Sequence, residues 1–312
     1  MGIKLEILIS LGVLAVAVSS TPASERKTNL SLSLVLAAYK FRSAPLETQR
    51  DSGLSLRITI NGKPGALLVA TSAPISVLDR NSLSKFSLTE RKTGIPLNGT
   101  LGKANDYVGL AKVRSFEFSN VVLADFEAGT IDESVLNRAG HHSSHLDGVF
   151  GFSQMRKLAA IIDCGRRNFY VNPWGPKAEA SEALARFLVS RGYVPVPMRF
   201  NSAGHPAVEC RVNGRATRAS VETAAFTTII DNGLAAKAGL SLSPTNFTGV
   251  GVGHREAPIS TGVAAEFSVG AFRTFRERLS VTDVTLNVLG IDYLSSNNAI
   301  IDTGSMTLFL HH

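Results

Sequence analysis

The feature that most constrains the fold is an internal repeat. Residues 61–80 align without gaps to residues 213–232, 152 positions further on, with six identities in twenty positions. Residues 150–171 align to residues 289–310, 139 positions further on, with six identities in twenty-two. Both blocks recur in the same order, so the chain is a tandem duplication of one unit. The two offsets differ because the first copy carries thirteen extra residues between its blocks.

The length and composition agree with two copies of a globular unit. At roughly 100–200 residues per domain, 312 residues are typical of two domains. Hydrophobic residues make up 44% of the chain and charged residues 18%, which is enough apolar material for two cores and excludes a disordered protein.

The chain is basic, with 32 Lys and Arg residues against 25 Asp and Glu residues and a formal net charge of +7. Such a balance is compatible with an anionic partner, including nucleic acid or an acidic peptide segment. The basic residues occur in short pairs such as Arg91-Lys92 and Arg166-Arg167, without interleaved aromatic residues. This pattern favours a solvated basic surface, so we expect no nucleic-acid partner.

The first residues have the composition of a secretory signal. Lys4 precedes an uncharged run over residues 7–23, whose apolar centre spans residues 7–18 and is followed by small residues that suit a signal peptidase. We therefore predict a signal peptide at residues 1–23 and an exported protein, periplasmic or extracellular, with no membrane attachment after cleavage. An uncleaved membrane anchor is the alternative.

Thiol chemistry is sparse in this sequence. Cys164 and Cys210 are the two cysteines of the chain, too few for a disulfide scaffold or a thiolate metal site. A bridge between them is possible in an exported protein, and the sequence does not decide it.

Three histidines in the first copy have a spacing that could hold a transition metal. His141, His142 and His145 lie close to Asp147 and fall in the part of the first copy that has no counterpart in the second. This position favours an exposed polar loop, and we expect neither a metal site nor a cofactor.

Each copy begins with the pattern of a β-hairpin. Apolar and polar residues alternate over residues 54–60 and again over residues 208–212, which predicts half-buried strands. Asn61-Gly62 and Asn213-Gly214 follow them, and an Asn-Gly pair is a strong signal for a two-residue hairpin turn. Glycine-punctuated hairpins make up most of the rest, so the chain is predicted to be mostly β. Short helices are expected after Asp79 and Asp231, and a linker with a short helix at residues 173–194.

Two motifs in each copy resemble those of the retropepsin-like aspartic peptidases. The first is the turn that reads Asp-Thr-Gly and then Ala or Ser in this family. The matching residues are Ala70-Thr71-Ser72-Ala73 and Glu222-Thr223-Ala224-Ala225. The second motif places hydrophobic residues before a glycine, and it matches Gly148-Val149-Phe150-Gly151 and Val288-Leu289-Gly290.

The resemblance implies a pseudo-twofold protein of two β-barrel lobes, as in pepsin-like enzymes and in exported bacterial proteins with both lobes in one chain. The implied organisation is an N-terminal segment at residues 24–49, a first lobe at 50–172 and a second lobe at 195–312. We expect such a chain to be a monomer.

The resemblance also implies the chemistry that this chain would need. In the family, two aspartates share one proton; the ionised one activates a water and the protonated one donates to the substrate carbonyl. Here one aspartate position is Ala70, which has no acid or base, and the other is Glu222, which is one methylene longer. Both glycine positions have gained side chains, as Ser72 and Ala224. A lone carboxylate has no like charge to raise its pKa, so we expect peptide hydrolysis to be lost.

The catalytic tetrapeptide of the family does occur in this chain, but at a different place in the repeat from the two turns. Asp302-Thr303-Gly304-Ser305 aligns with Asp163-Cys164-Gly165-Arg166, in the closing element of the first lobe. We predict that Asp302 forms a structural turn between two closing strands and has no catalytic role.

The resemblance further implies a flap, the hairpin that covers the cleft in this family, in each lobe. Gly251 lies in the glycine-rich stretch 249–253, and Gly99 lies in the corresponding stretch 98–107 of the first copy. The glycine-rich stretch lacks the third glycine and the following helix of a dinucleotide-binding loop.

Three hypotheses about function follow. The first is a non-catalytic protein that binds an extended peptide between the lobes by strand pairing. The second is an active aspartic-type peptidase in which Glu222 works with a second acid that the sequence does not identify. The third is a structural protein whose cleft is closed by side chains such as Phe226.

Overall fold

The computed structural model of the protein describes residues 31–48, 53–99, 102–132, 145–251 and 255–312. The predicted signal peptide lies outside the described residues. Strands make up 52% of the structure and helices 16%, and the strands form two closed six-stranded barrels. The predicted class, mostly β with two tandem barrel lobes, is confirmed.

The first barrel is closed because its first strand pairs with two others of the same lobe. Its strands are β2 (Leu54–Ile60), β3 (Lys63–Val69), β4 (Val77–Asp79), β6 (Gly102–Phe118), β7 (Val121–Ile131) and β8 (Gly148–Phe150). They follow the order β2-β3-β8-β4-β7-β6, and β2 pairs back onto β6. A further strand, β5 (Glu90–Gly99), extends the sheet beyond β6 as its hairpin partner.

The second barrel repeats this arrangement strand for strand. Its strands are β13 (Pro206–Val212), β14 (Arg215–Val221), β15 (Ile229–Asp231), β17 (Arg255–Val269), β18 (Phe272–Thr282) and β19 (Asn287–Leu289). The order is β13-β14-β19-β15-β18-β17, and β13 pairs back onto β17. Outside the barrel, β16 (Leu242–Gly251) pairs with β17 and the short β12 (Arg199–Phe200) pairs with β13.

A third set of strands joins the two lobes. These are β1 (Arg42–Thr48), β9 (Ile161–Asp163), β10 (Asn168–Val171), β11 (Val194–Pro197), β20 (Ile300–Asp302) and β21 (Thr307–Leu310), in the order β11-β21-β20-β9-β10-β1. The lobes meet where β9 pairs antiparallel with β20, with Ile162 opposite Ile301. The first half of the chain supplies β1, β9 and β10, and the second half supplies β11, β20 and β21. One continuous sheet therefore lies between the barrels.

The helices are short and serve the sheets. They are α1 (Leu32–Ala38), α2 (Phe152–Lys157), α3 (Ala178–Val189), α4 (Asn232–Lys237) and α5 (Ile291–Ser296), with a 3-10 turn at Arg80–Ser82. The helix expected in the linker is α3, which buries Ala180, Leu184 and Leu188 in an apolar cluster shared with α1 and the joining sheet. No described helix reaches the length and apolar character needed to span a bilayer.

Both predicted hairpin turns are confirmed. Asn61 and Asn213 adopt φ of 48° and 46°, and the glycines after them adopt 78° and 79°. Two successive residues with positive φ define the turn that best matches the twist of paired strands, and asparagine followed by glycine tolerates it at low cost. The turns fix the register of β2 with β3 and of β13 with β14.

Candidate functional site

The turn after β3 and the turn after β14 meet between the lobes. In the first lobe the N–H of Ala70 donates to the carbonyl of Phe150 at 3.1 Å; in the second, the N–H of Glu222 donates to the carbonyl of Leu289 at 3.0 Å. These bonds continue the parallel pairing of β3 with β8 and of β14 with β19. The two sequence motifs of each copy therefore pack against each other and place the turns.

Thr71 and Thr223 bind the two turns together. Each threonine hydroxyl donates to a carbonyl of the opposite lobe, Thr71 to Val221 and Thr223 to Val69. Each hydroxyl also accepts the backbone N–H of the other threonine, at 3.1 Å from Thr223 and 3.3 Å from Thr71. Both side chains are fully buried, so all four bonds lie in a region from which water is excluded.

Gly53 is a site residue that the sequence reading missed. It precedes β2, and a Cβ atom there would lie 1.9 Å from the carbonyl oxygen of Thr223. The next residue, Leu54, donates its N–H to the same oxygen at 3.2 Å. The start of the first barrel thus packs directly onto the turn of the second lobe, and only glycine fits. A glycine just before an alternating strand was the available signal.

Ala70 occupies the first aspartate position as part of the apolar core. It is 5% exposed and belongs to a buried cluster with Ala66, Leu68, Val77, Ile131, Leu146 and Val149. Its methyl group can neither bind a water by hydrogen bonding nor transfer a proton. The first lobe therefore contributes no acid or base from this position.

Glu222 occupies the second aspartate position, and its carboxylate is buried at the junction. The residue is 8% exposed, and its Oε1 accepts the N–H of Ala224 at 3.0 Å. The N–H of Ser72, in the opposite lobe, also hydrogen-bonds to this carboxylate. The extra methylene of glutamate allows one carboxylate to take a backbone donor from each turn.

Burial raises the pKa of Glu222 to about 7, against the two backbone hydrogen bonds, which lower it. The absence of a like charge does not matter here because desolvation of the charged form supplies the rise. Position 70 is an alanine, so it offers no second carboxylate to share the proton.

The side chains that follow each turn are exposed and apolar. Ile75 is 39% exposed and Phe226 is 52% exposed. Because half of its surface meets solvent, Phe226 is not packed into the junction as a plug. Ser72, Ala73, Ala224 and Ala225, the remaining predicted turn residues, are each partly exposed.

Each turn is supported from behind by a hydroxyl residue six positions after the aspartate position. In the first lobe, the Ser76 hydroxyl accepts the N–H of Gly151 at 2.9 Å and donates to Oε1 of Gln154 at 3.0 Å. In the second lobe, the Thr228 hydroxyl accepts the N–H of Gly290 at 3.0 Å and donates to Oδ1 of Asp292 at 2.8 Å. The supports match in geometry but differ in chemistry, since the second contains a carboxylate.

The flap candidates lie at the ends of two long hairpins. Gly99 is the last residue of β5 and pairs with Gly102; Gly251 is the last residue of β16 and pairs with Arg255. Both hairpins have an irregular register at the same place, bridged by the hydroxyls of Thr93 and Thr245, which donate across to the partner strand. Both lobes therefore have a hairpin of the flap type, and its role stays a prediction.

An ion pair at the base of the first hairpin has no counterpart in the second. Arg80 Nε lies 2.8 Å from Glu90 Oε1, and Arg80 also donates to the carbonyl of Tyr107 at 2.6 Å. Burial acts to raise the pKa of Glu90, but hydrogen bonds from Thr130 and Arg80 and the charge of Arg80 lower it overall. The aligned residues of the second copy are Asn232 and Leu242, which cannot form an ion pair.

Asp302 forms the structural turn that the repeat predicted. It lies at the end of β20 and is 1% exposed. Its Oδ1 accepts the N–H groups of Gly304 at 2.9 Å and Ser305 at 3.2 Å, and its Oδ2 accepts the Ser305 hydroxyl at 2.7 Å. Every contact is local or within the joining sheet, and the aligned Asp163 takes the matching place opposite Ile300 in β20.

The histidines and cysteines considered from the sequence lie in different parts of the chain. His141 and His142 lie outside the described residues. His145 contacts Ser82 at 3.2 Å beside Asp147, whose buried carboxylate is paired with Lys85 at 2.9 Å. In the described part of the chain, no three His, Cys, Asp or Glu side chains group as metal ligands do. Cys164 and Cys210 are buried free thiols.

Comparison with known families finds a match within the second lobe. Residues 208–293 match the family model described as aspartyl protease. The matched segment runs from β13 to α5 and includes Glu222 and its turn. No curated protein matches the chain.

Proposed function

We propose, from the premise that this chain carries two tandem lobes of the retropepsin-like aspartyl protease fold, that it is an exported protein that binds an extended peptide between the lobes and does not hydrolyse it. The observation that carries the proposal is the contrast at the junction. The four threonine bonds that align the turns are intact, whereas the pair of acids is reduced to Glu222 alone.

Loss of hydrolysis follows from what the reaction needs. Attack on a peptide carbonyl requires a base to activate water and an acid to protonate the substrate oxygen, both in place at once. Glu222 can serve as one of them, and Ala70 can serve as neither. Removing one member of a cooperating pair costs most of the rate enhancement, since such groups act as a unit.

Peptide binding is supported by the free edges of the two hairpins. In the described residues, β5 and β16 stand at the ends of their sheets, with no strand beyond them. An extended segment can add to such an edge through main-chain hydrogen bonds, and side-chain pockets then give specificity. This mode of recognition does not depend on a catalytic acid, so it survives the loss of the aspartates.

A second candidate function is hydrolysis by Glu222 with another acid. The pKa of about 7 favours it, because a carboxyl group titrating near neutral pH suits a general base. The third hypothesis, a structural protein with a closed cleft, is weakened by the exposure of Phe226.

The test is to incubate the mature protein with denatured casein from acid to neutral pH, beside Glu222→Gln and the matched variant Asp302→Asn. We expect no cleavage and, on an array of overlapping casein peptides, saturable binding. Cleavage that disappears only in Glu222→Gln would establish the second candidate. An intact protein that neither cuts nor binds favours a scaffold. Cell fractionation with N-terminal sequencing tests the proposed export and removal of residues 1–23.

A further inference from the structure

The Glu222 carboxylate has acceptor capacity that the protein does not use. A carboxylate offers about four lone-pair positions. Two backbone N–H groups, from Ala224 and Ser72, hydrogen-bond to it. Burying a charge with so few partners is costly unless a further donor or a counter-charge is supplied.

The surroundings of Glu222 supply no counter-charge. Its backbone neighbours are Ala70, Thr71, Ser72, Thr223 and Ala224 from the two turns and Leu289 from β19, none of which titrates near neutral pH or carries a charge. Among the described residues, no Lys, Arg or His forms an ion pair with it, although the protein as a whole carries a net charge of +7. The charge of the ionised carboxylate is therefore not compensated by a described side chain, and its remaining acceptor positions suit a cationic donor.

We infer that Glu222 binds a protonated amine of the peptide ligand, supplied either by a lysine side chain or by a free amino terminus. This inference rests on the proposed function, because it names the chemical group that the same cleft selects. It differs from recognition of a peptide carbonyl, in which the carboxyl group would have to be the donor.

An ammonium group satisfies what the site lacks. It brings one positive charge and three N–H donors to a carboxylate with unused acceptors, and charge-assisted hydrogen bonds are about twice as strong as neutral ones. Phe226 and Ile75, which follow the two turns and are exposed, offer apolar surface for the methylene chain of a lysine. An aromatic ring also attracts an ammonium directly.

Recognition of an amine and recognition of a peptide carbonyl predict opposite changes of binding affinity with pH. An ammonium binds the ionised carboxylate, so the affinity of a lysine side chain increases as the pH rises past about 7, the pKa of Glu222. The affinity of a free amino terminus increases only up to about pH 8, where the amino group loses its own proton. A carbonyl binds the protonated carboxyl, so its affinity decreases over the same range. An acidic ligand would meet a like charge above that pH and would also bind less tightly.

The experiment uses the casein peptide array in four forms: unmodified, acetylated at the amino terminus, acetylated at lysine, and acetylated at both. We expect fully acetylated peptides to lose about ten-fold or more in affinity, as does Glu222→Gln against unmodified peptides. The two singly acetylated forms show whether the amino terminus or lysine is the source. Amine affinity is expected to rise with pH in the wild type and stay flat in Glu222→Gln.

Calorimetry on the tightest unmodified peptide gives a readout that needs no variant. Near pH 7, amine binding should release protons from Glu222, measured as a buffer-dependent enthalpy. Equal binding of fully acetylated peptides, preference for acidic peptides or proton uptake on binding would overturn the inference and leave the proposed function standing. Failure of every form to bind would overturn the proposed function itself.

Discussion

Thr71 and Thr223 each accept the other's backbone N–H, at 3.1 and 3.3 Å, across the boundary between the lobes. Each also donates its hydroxyl to a carbonyl of the opposite lobe. The pair is therefore symmetric, whereas the positions just before it, Ala70 and Glu222, are not. The two turns are aligned symmetrically, although only one of them carries an acid.

We expect Thr71→Val and Thr223→Val each to lower the free energy of unfolding by about 1–3 kcal/mol, because each leaves buried N–H and C=O groups without partners. Thr71→Ser and Thr223→Ser are the matched controls, since they keep the hydroxyl. Urea denaturation measures the change. Valine variants as stable as the serine variants would show that these bonds contribute nothing net.

The pKa of Glu222 predicts how stability varies with pH. Its folded-state pKa is raised from 4.5 to about 7, so the folded protein holds this proton more tightly than the unfolded chain. The stabilisation is present below pH 4.5 and is lost as the pH rises through 7, a loss of about 3 kcal/mol. Glu222→Gln should remove this slope and be the more stable form above pH 7. A parallel pH profile for both proteins would contradict the prediction.

Asp302→Ala should lower the free energy of unfolding by about 1–3 kcal/mol, because two backbone N–H groups and one hydroxyl lose their acceptor. Asp302→Asn keeps one carbonyl oxygen and should cost less. Peptide binding should be unchanged in both. Loss of binding or of any cleavage in a folded Asp302→Asn protein would mean that the repeat alignment is wrong.

The Arg80–Glu90 ion pair predicts that the hairpin of β5 and β6 opens less often than the hairpin of β16 and β17. Replacing both with the residues of the second copy, Arg80→Asn with Glu90→Leu, should speed amide hydrogen exchange in β5 and the facing part of β6 toward the rate of β16. Arg91→Ala is the matched control, since its pair with Glu127 is largely exposed and worth little. Equal exchange in both hairpins of the wild type would refute the prediction.

Placing the Asp-Thr-Gly turns of aspartyl proteases in both lobes should create the pair of acids that their reaction uses. In Ala70→Asp, Ser72→Gly, Glu222→Asp and Ala224→Gly combined, two carboxyl groups can again share a proton. We expect cleavage of casein at acid pH, absent from the same variant with Ala70→Asn in place of Ala70→Asp. A folded but inactive variant would show that more than these four positions has been lost.

The sequence predicted the parts of this structure that depend on local chemistry or on the repeat. The Asn-Gly turns and the positions of the turns at Ala70 and Glu222 follow from residues visible in both copies, and the two barrels were implied by the family resemblance that those copies carry. Helices α1, α2 and α5 were missed, because six or seven residues are too few to show helical periodicity. The close approach of Gly53 to Thr223 and the raised pKa of Glu222 depend on distant packing and burial, which no local pattern encodes.

The strand pairing between the lobes is symmetric with respect to the repeat. Ile161 faces Asp302 while Ile300 faces Asp163, and the repeat equates Ile161 with Ile300 and Asp163 with Asp302. Such a contact is isologous: the same surface on both sides, related by a twofold axis. Two identical single-lobe subunits would make the same contact. The two lobes of this chain therefore pair as the subunits of a homodimer do. Within one chain the two sides of this contact can carry different residues, as Ala70 and Glu222 do, whereas the subunits of a homodimer carry the same residue on both sides.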